Sequence, residues 1–171
     1  MQCTFTLIDK AAVQAILRWQ YTGEYTLYNA LLDPDTADLE ALSAEFFVNP
    51  HNAYAAHDQA GALVGFCCFG VDAQVPGGDY NIDALDVGLG LRPDLTGQGL
   101  GASFLREILE LAQREFEPLR LRATITVFNT RSQRIFAKNG FPTIQSFMSR
   151  SEPSLAFVVM IKFVVMIKEA K

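Results

Sequence analysis

The sequence contains few cysteines, and they do not form the pattern of a disulfide-stabilised protein. Cys3, Cys67 and Cys68 are odd in number, and the last two are adjacent. Small secreted domains that depend on disulfides carry an even number of spaced cysteines. We therefore interpret the thiols as small buried groups in a reducing compartment, and we expect a cytoplasmic protein.

The sequence also lacks the features of membrane and nucleic-acid-binding proteins. No apolar run reaches the roughly 18 residues that a membrane-spanning helix needs, and the first residues lack the basic-then-apolar pattern of a signal peptide. The formal net charge is −5 and the isoelectric point is near 5.0, whereas a nucleic-acid-binding domain is expected to be basic. We expect no membrane and no nucleic-acid partner, and the acidic balance slightly favours a cationic one.

The composition excludes disorder and indicates one folded domain. The chain has 171 residues, of which 50% are hydrophobic and 11% are aromatic. Disordered chains combine low hydrophobicity with high net charge, and this sequence has neither. We expect a single domain over residues 1–171 that is large enough to bury a sizeable core.

The spacing of apolar residues predicts a mixed α/β fold. Alternation predicts strands at residues 2–8, 53–58, 62–71, 81–92, 120–127, 143–149 and from 155 onward. Helical spacing and capping residues predict helices at 9–18, 36–47, 99–115 and 130–138. The order β-α-α-β-β-β-α-β-α-β-β is that of a mixed sheet flanked by helices.

A glycine-rich turn follows the predicted strand at 81–92. Gly97, Gly99 and Gly101 remove side chains from one turn, so its backbone N–H groups can face a ligand closely. The same N–H groups begin a helix, whose free donors and positive dipole end attract anions. The turn therefore predicts a binding site for the phosphates of a cofactor.

Three phosphate-binding chemistries compete for this turn. The nucleoside triphosphate loop requires a lysine after its last glycine, and none follows Gly99 or Gly101. The dinucleotide pattern formally matches residues 97–102, but it expects an acid about 20 residues on, and the next strand ends at 128–130 without a carboxylate. The pyrophosphate of coenzyme A is the third possibility.

Two segments resemble the GNAT acetyltransferase superfamily. Residues 96–101 match its phosphate loop, Arg/Gln-x-x-Gly-x-Gly/Ala, except that Thr96 stands at the first position. Residues 129–141 match a second pattern, an asparagine followed by a helix that carries an aromatic residue and ends in Gly140 and Phe141. The resemblance covers roughly residues 1–160 and implies a largely antiparallel central sheet of six to seven strands, with a cofactor crevice where the central strands separate.

The resemblance further implies acetyl-CoA as the cofactor. In the family, backbone groups at the end of the strand before the turn pair with the pantetheine arm and the thioester carbonyl, and a matching asparagine contacts the cofactor. The residues expected to bind acetyl-CoA are Leu89, Gly90, Leu91, Thr96, Gly97, Gln98, Gly99, Leu100, Gly101, Ala102 and Asn129. From the residues alone, two readings stay open. Gly88 and Gly90 leave room either for a ligand or for a packed neighbour, and Asn129 is an ordinary helix cap.

Acetyl transfer to an amine requires a base, and Asp86 is the candidate. It shares a strand face with Gly88, and family members often hold a carboxylate on this strand; Asp83 is second. A hydrogen-bonded structural carboxylate is the alternative role of Asp86. His51 and His57 are linked to no motif, and no metal site is predicted.

The general acid departs from the family pattern. Many members place a tyrosine in the last helix to protonate the leaving sulfur, and the matching residue is Phe136, which cannot donate a proton. Either another hydroxyl serves, with Tyr28 as the candidate, or the thiolate leaves unprotonated, which its ordinary pKa of about 8.5 permits.

The acceptor pocket is expected in the aromatic segment at residues 19–28. The candidates are Trp19, Tyr21, Glu24 and Tyr25, which are otherwise simple core and rim aromatics with one exposed acid. The sequence thus predicts an N-acetyltransferase that transfers acetyl from acetyl-CoA directly to a primary amine of a small molecule or a peptide N-terminus. A catalytically idle acyl-CoA-binding or regulatory module is the alternative, for which Phe136 is the main argument.

The end of the sequence contains an immediate repeat. Residues 157–162 (Phe-Val-Val-Met-Ile-Lys) recur at 163–168, and the tail at 163–171 is a duplicated or extended segment. Because six is even, a strand through both copies keeps every side chain on its original face. We interpret the repeat as a small duplication or a cloning artefact. A paired edge in a homodimer is the alternative, because a long apolar edge invites pairing.

Overall fold

A computed structural model describes residues 1–164 of the protein as seven strands and four α-helices. The strands are β1 (Thr4–Leu7), β2 (Ala53–His57), β3 (Leu63–Phe69), β4 (Leu85–Leu91), β5 (Arg120–Thr126), β6 (Thr143–Met148) and β7 (Ala156–Phe163). The helices are α1 (Lys10–Leu17), α2 (Leu39–Glu45), α3 (Gly101–Phe116) and α4 (Thr130–Lys138). The predicted order of elements is confirmed, and so is the predicted α/β class.

Helices α2 and α3 and strand β4 are among the elements that begin later than the sequence pattern predicts. Helix α2 begins at Leu39 instead of 36, because the Asp38 carboxylate accepts from the first free N–H groups. Helix α3 begins at Gly101 instead of 99, because Gly99 has a φ of 78°, which lies outside the right-handed helical region. Strand β4 begins at Leu85 instead of 81, after a loop in which Gly77 has a φ of 112°.

The strands form one mixed sheet in the order β1-β2-β3-β4-β5-β7-β6. The pairs β1–β2, β2–β3, β5–β7 and β6–β7 are antiparallel, whereas β4 and β5 run parallel. The register of the parallel pair places Leu85 beside Leu121 and Asp86 beside Arg122. This agrees with the largely antiparallel sheet of six to seven strands that the resemblance implies.

The described chain divides into two compact units, and the first contains the glycine turn. It comprises residues 1–68 and 89–104. Its core is a cluster of Val13, Leu17 and Leu39, against which Phe46 and Phe47 pack. Helix α1 is capped at its N-terminus by Asp9, whose carboxylate accepts from the N–H of Ala12 at 2.7 Å, as the sequence predicts.

The second unit comprises residues 69–88 and 105 onward. The buried face of α3 lies largely here, with Ile108 and Leu111 at 0% and 1% exposure, as expected of an amphipathic helix. Helix α4 ends in a pair of aromatic rings, Phe136 and Phe141. The prediction of a single domain over residues 1–171 stays a prediction.

Strand β7 contains the whole first copy of the repeat. It runs Ala156–Phe163, and Ile125 and Val158 are register partners in its pairing with β5. Residues 165–168, the last four of the second copy, lie outside the described residues. None of the helices in residues 1–164 is both long enough and apolar enough to cross a membrane.

Candidate active site

The glycine turn holds two residues in a conformation that only glycine adopts freely. Gly97 and Gly99 have φ angles of 76° and 78°, in the left-handed region that penalises a Cβ atom. A Cβ atom built at either position meets nothing within 4 Å. These two glycines are therefore required by backbone conformation, and the surface beside them is open.

The turn is supported from its N-terminal side by a bidentate ion pair. The Arg92 guanidinium contacts Asp94 through Nε–Oδ1 at 2.7 Å and Nη2–Oδ2 at 3.1 Å, and its Nη1 donates to the Leu63 carbonyl at 2.8 Å. The hydrogen bond from Arg92 lowers the pKa of Asp94 below its ordinary value. Thr96 Oγ1 donates to the Pro93 carbonyl at 2.8 Å. The turn is thus held by its own preceding residues.

The side chains of the turn bond backward, away from its N–H groups. Gln98 Nε2 donates to the Asp94 carbonyl at 2.6 Å, and Ser103 Oγ donates to the Leu100 carbonyl at 2.9 Å. Among the backbone hydrogen bonds described for residues 1–164, none is donated by the N–H group of Gly97 or Gly99. A helix start with free donors is an anion site. The turn therefore has the donors that a pyrophosphate needs.

At Gly90 the sequence allows either a ligand or a packed neighbour beside the glycine, and the structure has a packed neighbour there. A Cβ atom on Gly90 would overlap the ring of Phe66, with ring atom Cζ at 2.9 Å. The space beside this glycine is therefore filled by a packed neighbour and is not left for a ligand. Phe66 in turn packs on Trp19 and Phe47, with ring centroids 6.0 Å apart in both pairs. Trp19, predicted to line the acceptor pocket, belongs to this aromatic group.

Tyr21 links the aromatic segment to the end of β4. Its hydroxyl donates to the Leu91 carbonyl at 2.9 Å, and Leu91 is one of the residues expected to bind the cofactor. Burial, and to a lesser degree Tyr28, raises the pKa of Tyr21 to about 12. The phenol is therefore a stable hydrogen-bond donor in the neutral range, and it fixes the predicted acceptor segment to the predicted cofactor strand.

The remaining acceptor candidates lie on one short 3₁₀ helix. Gly23–Tyr28 forms this turn, with Glu24 exposed in its first part. The Tyr28 ring stacks on Tyr25 at 6.3 Å and meets Tyr21 edge-on at 6.4 Å between centroids. Tyr28 is 40% exposed, so part of this side chain reaches solvent. The turn thus presents aromatic faces and one carboxylate.

The structure places Asp86 in a buried ion pair. Its exposure is 2%, and Arg122 holds both carboxylate oxygens, with Nε–Oδ1 at 2.5 Å and Nη2–Oδ2 at 2.7 Å. Gln74 Nε2 donates to Oδ2 at 2.8 Å. The hydrogen bond with Asp86 raises the pKa of Arg122. This geometry favours the structural alternative for Asp86, and its role as a base stays a prediction.

Sequence reasoning missed the partners of this pair. Arg122 also donates through Nη1 to the Ile82 carbonyl at 2.8 Å, and its guanidinium lies 4.7 Å from the ring centroid of Tyr80. The Tyr80 hydroxyl accepts from the N–H of Val75 at 2.7 Å. One signal was present: an arginine within a predicted apolar strand has to be paired if it is buried.

Asn129 caps helix α4 as the sequence predicts. Its Oδ1 accepts from the N–H of Ser132 at 3.1 Å, and Gln133 Nε2 donates to the carbonyls of Thr126 and Val127 at 3.0 and 2.8 Å. The helix start is thereby fixed to the end of β5. A role for Asn129 toward the cofactor stays a prediction.

Phe136 is a core residue. It is 2% exposed and meets the Phe141 ring edge-on, with centroids 5.0 Å apart. Such pairs stabilise a fold, and phenylalanine carries no proton to donate. The position that the family pattern assigns to the acid therefore has a packing role here.

Cys67 has none of the properties of a nucleophile. It is fully buried in β3, and burial, together with the neighbouring Cys68, raises the pKa of its thiol well above the ordinary value. Reactive cysteines have a lowered pKa and are accessible. This geometry disfavours a covalent enzyme intermediate on Cys67.

Comparison with known proteins identifies the family. The model of the acetyltransferase (GNAT) domain matches residues 5–142. The chain therefore belongs to the GNAT acetyltransferase family. The predicted enzyme class, an acyltransferase, and the predicted cofactor, acetyl-CoA, are confirmed. Among curated protein sequences, none matches this chain significantly.

Solved structures share the fold at low sequence identity. Aminoglycoside acetyltransferase AAC(6')-Ib, solved with paromomycin and acetyl-CoA, is 16% identical with a TM-score of 0.72, over 95% of this chain and 94% of that one. A spermidine N-acetyltransferase chimera of Vibrio cholerae SpeG and hSSAT is 13% identical with a TM-score of 0.70, over 95% and 96%. A GNAT acetyltransferase from Bacillus anthracis is 14% identical with a TM-score of 0.63, over 95% of both chains. At these identities the likeness concerns the fold.

Proposed function

We propose that this acyltransferase transfers the acetyl group of acetyl-CoA directly to a primary amine of a small molecule or a peptide N-terminus. The observation that carries the proposal is the glycine turn, because its conformation, its open surface and its free N–H groups coincide at one helix start. The acceptor is the finer part of the proposal. Solved relatives with the same fold are named for small amines, spermidine and aminoglycosides.

The residues present fit the pyrophosphate of the cofactor. Backbone N–H groups of residues 97–101 supply the donors, and the positive end of the α3 dipole attracts the charge. Thr96, which replaces the arginine or glutamine of the family pattern, bonds to its own turn instead. We infer that phosphate binding at residues 96–102 relies on backbone groups.

The end of β4 is proposed to align the acyl end of the cofactor. Leu89, Gly90 and Leu91 offer backbone groups, and the Leu91 carbonyl is already fixed by Tyr21. Acetyl-CoA supplies an activated thioester when it is bound. Tyr21 and the packing of Phe66 under Gly90 hold this strand end in place, so less order has to be gained on binding.

The aromatic turn at 23–28 is proposed to select the amine. Tyrosine faces attract cations, and an exposed carboxylate does the same. Tyr25 and Glu24 are the residues of this turn that we expect to contact the acceptor, together with Trp19 and Tyr21. These features support a cationic acceptor.

Proton transfer is the least constrained part of the proposal. The amine has to lose a proton before attack, and the carboxylate of Asp86 is the predicted base although Arg122 and Gln74 already hold it. On the acid side, Tyr28 is the exposed tyrosine of the aromatic turn. Alternatively, coenzyme A leaves as a thiolate, for which a pKa of about 8.5 is low enough.

The proposed location is the cytoplasm, and the proposed assembly is a homodimer. Among the described residues, Cys3, Cys67 and Cys68 form no disulfide, which supports a reducing compartment such as the cytoplasm. A homodimer is kept as a proposal only, and sedimentation of the purified protein tests it.

The test is thiol release from acetyl-CoA in the presence of a panel of amines, with calorimetric binding of coenzyme A measured in parallel. We expect binding and amine-dependent thiol release, with diamines and amino sugars among the acceptors. Tight binding without thiol release across the whole panel would support the alternative, an idle acyl-CoA-binding module. Absence of binding would contradict the assignment of the glycine turn. A mass spectrum of the purified protein under native conditions gives an independent check for co-purified ligand.

A further inference from the structure

Arg122 on β5 contacts both strand β4 and the loop that precedes it. The guanidinium contacts Asp86 through two nitrogens, the Ile82 carbonyl through the third, and the Tyr80 ring through its face. Gln74 adds a bond to the same carboxylate. Among the described residues, the partners of the guanidinium and of the carboxylate that it holds thus come from residues 74–86, the segment that leads into β4 and includes its first two residues.

The ion pair joins two neighbouring strands of the sheet, and it can therefore fix their register. Asp86 and Arg122 are register partners in the parallel pairing of β4 with β5. A two-pronged contact between planar groups fixes both distance and orientation, which a single point charge does not. The pair therefore sets where β4 starts relative to β5, and β4 continues without interruption into Gly88 and on to Leu91.

Burial alone does not explain the choice of an ion pair at this place. Exposure is 2% for both Asp86 and Arg122, and an apolar pair of similar volume is commonly as stable as a buried ion pair or more so. Directional contacts instead define one arrangement among several that pack equally well. The hydrogen bond with Asp86, and to a lesser degree the electrostatic influence of Asp86, Tyr80 and Asp79, raises the pKa of the guanidinium.

We propose that Arg122 and Asp86 are positioning residues for the cofactor strand: they fix the register of β4 so that its end presents backbone groups to acetyl-CoA. In this arrangement Asp86 accepts hydrogen bonds permanently and does not remove the proton of the amine. The inference rests on the proposed role of Leu89–Leu91 in cofactor binding, and it replaces the base role that the sequence predicts for Asp86.

The experiment compares Arg122→Lys and Asp86→Asn with Arg120→Lys as the matched control. Arg120 lies on the same strand and donates to the Asp83 carbonyl at 3.3 Å in the same segment, but within residues 1–164 it forms no ion pair with a carboxylate. We expect the two test variants to raise the Kd of coenzyme A and the KM of acetyl-CoA by roughly tenfold or more, since small displacements of binding groups are costly. The apparent pKa of the kcat/KM profile should stay unchanged, and Arg120→Lys should bind like the unmodified protein.

The double variant Asp86→Leu with Arg122→Met separates positioning from packing. We expect its thermal midpoint to recover toward that of the unmodified protein while its affinity for coenzyme A stays weak. Recovery of both would overturn the proposal, since packing alone would then suffice. Loss of the acidic limb of the pH profile in Asp86→Asn with unchanged coenzyme A binding would identify Asp86 as the base instead.

Two further measurements cover variants that fail to fold. Gln74→Ala removes one bond to Asp86 and leaves the ion pair in place, and we expect a several-fold rise in the Kd of coenzyme A without loss of folding. An unchanged Kd in both Gln74→Ala and Arg122→Lys would contradict the inference. If the unmodified protein itself binds no coenzyme A, the proposed function fails and not only the inference drawn from it.

Discussion

Two pairs of residues in the first unit are glycine for two different physical reasons. Gly65 and Gly90 lie where a side chain has no room, because Phe104 and Phe66 occupy the space beside them. Gly97 and Gly99 lie in open space, and their positive φ angles are what a side chain would not tolerate. One pair serves packing and the other serves backbone conformation, so the same residue type predicts a core position in one place and a ligand-facing turn in the other.

The largest expected effect is at Gly65. A Cβ atom there would overlap the end of the Phe104 ring and lie 2.9 Å from the Gly90 carbonyl oxygen. Because a backbone atom is one of the neighbours, we expect Gly65→Ala to lower the free energy of unfolding by about 3 kcal/mol, the upper end for overpacking. Urea unfolding measures this.

Gly90→Ala should be partly rescued by a second change, since its obstacle is a side chain. Phe66→Leu removes the ring atoms that a Cβ atom at Gly90 would overlap. A double variant no more stable than Gly90→Ala alone would show that the crowding is not the cause.

In the glycine turn, we expect the larger asparagine to be tolerated better than alanine, which is the reverse of the order expected at Gly65. Gly99→Ala places a Cβ atom in the left-handed region at a cost of about 1 kcal/mol, and we expect a loss of affinity for coenzyme A of about tenfold or more as the N–H groups shift. Asparagine tolerates this region better, so Gly97→Asn should be milder than Gly97→Ala. Calorimetric titration with coenzyme A gives the affinities. At Gly65 the larger asparagine should be worse than alanine, and the same ranking at both places would break the comparison.

Tyr21→Phe tests the link between the aromatic segment and β4. Loss of the hydrogen bond to the Leu91 carbonyl should cost about 1 kcal/mol. The pKa of Tyr21 is raised to about 12 from an ordinary 10.0, so the folded state holds this proton more tightly than the unfolded one. Stability should therefore be intact below pH 10 and fall as the pH rises toward 12. This alkaline loss, followed by chemical denaturation, should be smaller in Tyr21→Phe, and an identical loss in both proteins would assign it to another group.

The smallest loss of stability is expected at the start of α4. This helix start is capped by the Asn129 side chain, whereas the start of α3 follows the glycine turn. Asn129→Ala removes the acceptor for the Ser132 N–H and should cost about 1 kcal/mol of stability. Asn129→Asp keeps an acceptor and should stay close to the unmodified protein in thermal unfolding. If Asn129→Asp weakens coenzyme A binding at unchanged stability, the cofactor role predicted for Asn129 gains support.

Local patterns were sufficient for the elements and for the turn. Asp9 and Asn129 predict the starts of their helices because each cap bonds to a residue three positions away. The glycine turn can be predicted because its constraint lies in its own backbone. The partner of Asp86 could not be predicted in the same way, since Arg122 is 36 residues distant along the chain. The ring that fills the space at Gly90 also comes from another strand. Contacts of this kind depend on sheet register, which no single segment encodes.

The buried thiol of Cys67 can report how often strand β3 opens. A thiol with 0% exposure and a raised pKa cannot react with a maleimide until the strand leaves the sheet. The rate of modification in the folded protein therefore counts how often this part of the chain opens, in the same sense as amide hydrogen exchange. Saturation with coenzyme A should lower the rate at which Cys67 is modified if the ligand binds only the closed form.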